Sequence, residues 1–152
     1  MVHHRAVRLR ILEIVAVVAT VAALAVVAVA STSANGLPSY TNGYAKWPRI
    51  NKKPFTSTGP LSSAHAGVKN VYASKKQVGK NYPNGTVIVK SIRRSGDKPA
   101  FPSQVAVMRK TRGSWRFVEY RFSGSRYTVL AQGQLCQSCH MQARANDYVF
   151  TK

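Results

Sequence analysis

Tyr82-Pro83-Asn84-Gly85-Thr86-Val87-Ile88-Val89-Lys90-Ser91-Ile92 decides the fold. Its first four residues are a turn signal, since proline presets one backbone angle and Asn-Gly accepts left-handed backbone. The residues that follow are dense in β-branched side chains, which are stiff at χ1 and suit a pleated strand. Alternation puts Val87, Val89 and Ser91 on one face and Thr86, Ile88, Lys90 and Ile92 on the other. Lys90 therefore shares its face with two isoleucines.

On either side the pattern repeats. Val68 to Ala73 reads as a short strand, and Ser74 is placed to cap a helical turn to about Lys80. Downstream, Gln104 to Lys110 and Trp115 to Phe122 are strands joined by a hairpin at Thr111-Arg112-Gly113-Ser114, with a further strand from Arg126 to Gln132 after Ser-Gly-Ser. Trp115, Phe117 and Glu119 fall on one face of their strand and Val118, Tyr120 and Phe122 on the other. With one face as core, Glu119 is either buried or exposed. Tyr40, Tyr44 and Trp47 recur at spacings of four and three, which predicts one face of a short helix ended by Pro48. Met141 to Tyr148 predicts another short helix.

Cys136-Gln137-Ser138-Cys139-His140 reads as C-x-x-C-H, the attachment signature of a c-type haem. Each thiol can add to a haem vinyl group, and the adjacent histidine then lies under the iron as an axial ligand. The competing readings are a reducible disulfide and half of a zinc site. Zinc would need two more ligands, and the other histidines are His3, His4 and a lone His65. One covalently bound haem c, held by Cys136, Cys139 and His140, is the expected cofactor. Twelve residues follow His140, so the haem pocket is expected from upstream chain. The β-branched strands exclude a four-helix bundle and point to a mainly antiparallel sheet with a few short helices around a carboxyl-terminal haem.

The beginning of the chain fits export, which c-type haem attachment requires. Arg5, Arg8 and Arg10 precede a run from Ile14 to Ala30 that is apolar apart from Thr20, and Ala28-Val29-Ala30 is a pattern suited to signal peptidase. Residues 1–30 are thus expected to be a signal peptide or, since roughly 20 apolar residues span a bilayer, a retained membrane anchor. Both place the haem domain outside the cytoplasm. Residues 31–58 are expected to be a linker with a short aromatic helix, and residues 59–152 the haem domain.

Charge is lopsided: 23 Lys and Arg oppose four acids, Glu13, Asp97, Glu119 and Asp147. Without the three leader arginines and Glu13 the domain keeps about +17. Export and the haem motif turn this charge away from nucleic acid and toward an acidic electron-transfer partner or an anionic surface.

The pieces Gly43-Tyr44-Ala45-Lys46-Trp47, Val71-Tyr72-Ala73, Tyr82 to Lys90, Cys136 to His140 and Asp147-Tyr148-Val149-Phe150-Thr151 resemble, in that order, the cytochrome P-460 family. The resemblance implies a sheet-rich α+β domain, often a homodimer, around a five-coordinate haem whose open face takes hydroxylamine or nitric oxide. It implies a covalent bond between Lys90 and the haem macrocycle. Desolvation between isoleucines would lower the Lys90 pKa and free the amine as a nucleophile; the alternative is a lysine that reaches to water or to a haem propionate. Relatives of the cytochrome c-prime-beta type share the fold without that bond and bind nitric oxide.

One departure carries mechanistic weight. The hydroxylamine-oxidising members use a carboxylate just upstream of the haem motif to accept protons, and Tyr120 to Leu135 contains no acid. Glu119 is then the candidate base from another strand, with an ion pair to Arg116 or Arg121 as the alternative. A plain electron carrier would need Met108 as second axial ligand, although a strand methionine suits a core. Met141, beside His140, is badly placed to reach the opposite face. Phe55, Phe117 and Tyr120 are candidate pocket walls, Lys69 a candidate near the haem, and His65 a candidate for its open side.

Overall fold

The computed structural model describes residues 32–58, 63 and 65–150. Strands β1 (Val68–Ala73), β2 (Val87–Arg93), β3 (Gln104–Thr111), β4 (Ser114–Phe122) and β5 (Tyr127–Gln132) form one antiparallel meander in chain order. Helix α1 (Gln134–His140) follows β5, and short 3-10 turns occupy Ser39–Thr41, Tyr44–Lys46 and Met141–Asn146. This is the α+β, mainly antiparallel architecture expected from the strand patterns. The expected leader, residues 1–30, lies outside the described residues. Among those described, no helix is long and apolar enough to cross a membrane.

The register gathers side chains into rows. Val71 pairs with Lys90, Lys90 with Ala106, Ala106 with Glu119 and Glu119 with Ala131, so one row crosses all five strands on one face. The next row on that face is Ala73, Ile88, Met108 and Phe117. It packs with Tyr82, Trp115 and Val149 into a core. The opposite face carries Val87, Val89, Val105, Val107 and Tyr120, covered by Leu37, Tyr40, Tyr44 and Trp47. Both faces are therefore buried, contrary to the expectation of a single core face, and β2 is buried along nearly its whole length.

Three local expectations are corrected. The aromatic segment forms two 3-10 turns instead of one helix, because Gly43 between them is left-handed, at φ +71°. Its rings nevertheless reach the same core. Ser74 caps no helix: its amide donates to Val87 O at 2.9 Å and its hydroxyl accepts from Val87 N at 2.9 Å, tying it to β2. The segment after the haem motif is a 3-10 turn ending at Asn146, not a helix to Tyr148.

Asp147 fastens the chain end to the sheet. Its carboxylate accepts hydrogen bonds from Lys110 Nζ at 2.6 Å, Tyr82 N at 2.7 Å and Trp115 Nε1 at 3.0 Å, and both charged partners are buried. Burial pushes this carboxyl up, but the three donors and the Lys110 charge outweigh it and hold the pKa below the ordinary carboxylate value. Asp147→Ala strands a buried ammonium, which is expected to cost about 3–5 kcal/mol in denaturant unfolding. Because folding lowers the pKa, the charge-dependent part of this stability is complete above the unfolded value of about 3.9 and is lost as pH falls through the folded value. The gap between wild type and variant should accordingly be flat at neutral pH and shrink below about pH 4; a gap that widens there would contradict the assignment.

Candidate functional site

The row from Val71 to Ala131 is the floor of a cavity of about 450 Å³ lined mainly by apolar side chains. Phe55, Ile88, Met108 and Phe117 contribute to its walls, and Cys136, Cys139, His140, Val149 and Phe150 close one side.

Helix α1 begins directly after β5 because Gly133 takes φ +66° and ψ −134°, backbone that side-chain-bearing residues avoid. Cys136, Cys139 and His140 stand at i, i+3 and i+4, so they share one helix face and all line the cavity. Gln137 and Ser138 are exposed. His140 Nδ1 lies 2.7 Å from the Tyr148 carbonyl oxygen. A carbonyl only accepts, so Nδ1 carries the proton and Nε2 keeps its lone pair. Burial lowers the His140 pKa to about 4, with Lys90 and His65 adding to the effect and the Tyr148 hydrogen bond opposing it. The imidazole is thus neutral at pH 7, the form that binds a metal.

Lys90, 8% exposed, projects from the middle of the floor row with its Nζ 5.8 Å from the Phe150 ring centroid. Its pKa is lowered to about 8, chiefly by burial and then by the Lys69 charge, with Glu119 opposing both. Glu119 is two strands away in the same row and buried. Its Oε1 is 3.1 Å from His65 Nδ1, so its hydrogen-bond partner is His65, not the Arg116 or Arg121 considered from sequence. The structure brings Lys90, Glu119, His65 and the three motif residues around a single cavity.

The Cytochrome P460 family model matches residues 41–151. The chain belongs to the Cytochrome P460 family. No curated protein matches the chain.

Membership gives the chain the general haem-binding capacity of the Cytochrome P460 family, and the cavity fits such a group. Its volume lies within the roughly 300–1,000 Å³ usual for cofactor sites. Among the described residues no cluster of three or more His, Cys, Asp or Glu is assembled for a bare metal ion. A tetrapyrrole supplies four nitrogens itself and needs only an axial ligand such as His140. Burial raises the Cys136 pKa, and Glu119 and Cys139 raise it further.

Other candidates sort cleanly. Phe55, Phe117, His65 and Met108 line the cavity, and Met108 is also core. Tyr120 does not: it belongs to the opposite face. Met141 is 46% exposed and outside the cavity lining. Lys69 is buried, donates to Gly67 O at 3.1 Å and has its Nζ 5.9 Å from the Phe55 centroid. Sequence reasoning missed the Tyr148 carbonyl, the His65–Glu119 pair and the Asp147 anchor. Only the last had a local signal, as one of three acids among the domain's many cations.

Proposed function

We propose that this chain is an exported c-type haem protein, with Cys136 and Cys139 carrying the thioether bonds, His140 as axial ligand, and an open iron face that oxidises hydroxylamine or handles nitric oxide. The observation that carries the proposal is the floor row, which sets Lys90 and Glu119 in the same apolar cavity as the three motif residues. When bound, the haem iron supplies ligand binding and electron acceptance. The chain's own residues exclude water, neutralise charge and take protons. Neutral His140 offers Nε2 to the iron. Glu119, held by His65, is the only carboxylate lining the cavity among the described residues and is assigned as the proton acceptor for an N–O substrate.

A second reading, nitric oxide binding without turnover as in cytochrome c-prime-beta-type proteins, is favoured by one specific position. Ala131, the cross-strand neighbour of Glu119, carries no acid just upstream of the haem motif. The strongly basic surface suits an acidic electron acceptor under either reading, and steering would weaken with salt. Met108 as a second axial ligand would make an electron carrier, and its ferrous spectrum would then be low-spin and indifferent to nitric oxide.

Turnover decides. Holo-protein mixed with hydroxylamine and an electron acceptor is expected to reduce the acceptor through many cycles, and Glu119→Gln to lower kcat by about 100-fold or more. Ligand-induced spectral changes without sustained acceptor reduction in wild type would leave nitric oxide binding as the function.

A further inference from the structure

We propose that Asp147 is a positioning residue for the proximal His140: it anchors the turn that aims the Tyr148 carbonyl at His140 Nδ1 and thereby sets how strongly the imidazole donates to the iron. The inference rests on His140 being the axial ligand.

Two features of the turn require an anchor. Asp147 and Tyr148 are consecutive non-glycine residues with positive φ, +49° and +65°. Each such residue is strained and persists only where its surroundings over-determine it. The turn's own backbone contributes bonds from Asp147 N to Arg144 O, Tyr148 N to Ala143 O and Val149 N to Asn146 O. These close the turn on itself without fixing it against the sheet. The Asp147 carboxylate does that, through Tyr82 ahead of β2, Lys110 on β3 and Trp115 on β4.

The Tyr148 carbonyl is next to this anchor in the chain, and it accepts the 2.7 Å hydrogen bond from His140 Nδ1. Phe117 and Phe150 pack against the ring, with centroids at 4.7 and 5.3 Å. Ring contacts of that kind restrict tilt but do not fix the tautomer. The carbonyl is therefore the polar group that chooses Nδ1 for the proton and strengthens electron donation from Nε2. Stability alone does not account for Asp147 and Lys110, since a buried ion pair is often no better for folding than apolar side chains of the same volume. Directed hydrogen bonds supply what apolar packing lacks, a fixed carbonyl position.

The test uses holo-protein with Asp147→Asn and, as a milder change, Trp115→Phe, which removes only one donor. Val105→Ala serves as control, because it opens a buried site on the opposite face of the sheet. Resonance Raman of the ferrous form and redox titration are read beside thermal melts. Loosening the Tyr148 hydrogen bond is expected to lower the iron–histidine stretching frequency and raise the midpoint potential, more in Asp147→Asn than in Trp115→Phe, while Val105→Ala lowers only the melting temperature. Should Asp147→Asn fail to accumulate, Trp115→Phe alone carries the result. Variants that lose thermal stability yet keep the wild-type frequency and potential overturn the proposal. A wild-type ferrous protein that is high-spin yet shows no iron–histidine band would instead remove the axial assignment beneath it.

Discussion

Replacing both Cys136 and Cys139 by serine is expected to abolish thioether attachment: digestion of the denatured protein should yield no haem joined to the peptide that carries residues 136–140, whereas wild type retains that haem peptide. The two thiols are the chain's only cysteines and share one face of α1 with His140, which follows them. Each single substitution should leave one thioether and a partly labile haem. Under denaturing conditions the non-covalent contacts of the cavity disappear, so this measurement isolates the covalent bonds from the pocket's affinity. Covalent haem persisting in the double variant would require attachment elsewhere, with Lys90 as the first residue to examine.

The same variant separates attachment from folding. Its sheet core, from Val89 and Val105 on one face to Ile88 and Phe117 on the other, meets the thiols at its margin, where the half-buried Cys136 packs against it. Strand content by circular dichroism should therefore survive while the tertiary signal around Phe117 and Phe150 weakens, because the cavity those rings border has lost its filling.

The strands were legible because their chemistry is local. Val68–Ala73 is bounded as the pattern predicts, and the others differ by a residue at one end or, for β2, at both. Alternation also put Lys90 between Ile88 and Ile92 correctly, and register then carried it to Glu119. The burial of both faces had a signal too, the unbroken apolar run of Val87-Ile88-Val89, but the exposed arginines of β4 mimic a sheet with one wet side. Neither the cover over the second face nor the partner of Glu119 could be read locally. Trp47 reaches the sheet from a segment broken by Gly43, and His65 lies 54 residues from Glu119 in the chain. Tyr148 acts through its backbone carbonyl, and a carbonyl leaves no trace in residue type.

Lys90→Arg is expected to shift the ferrous absorption band to shorter wavelength and to release one of two peptides from the haem. A pKa of about 8 leaves about one Lys90 in ten neutral at pH 7, against roughly one in three thousand for an ordinary lysine. That enrichment would make the amine a usable nucleophile toward a macrocycle held in the cavity that Lys90 lines. Bond formation replaces an N–H and a C–H by N–C, so two electrons and two protons must leave, and peroxide or dioxygen would take them. Arginine keeps its positive charge and comparable bulk but stays protonated far above pH 7. It therefore tests nucleophilicity apart from electrostatics. Digestion of wild-type holo-protein should yield haem joined both to the peptide with Cys136 and Cys139 and to the one with Lys90, and the variant only the former. Matching ferrous spectra and a single haem peptide in both proteins would sink the bond and leave Lys90 as a buried cation beside Phe150 that tunes the cavity by charge alone.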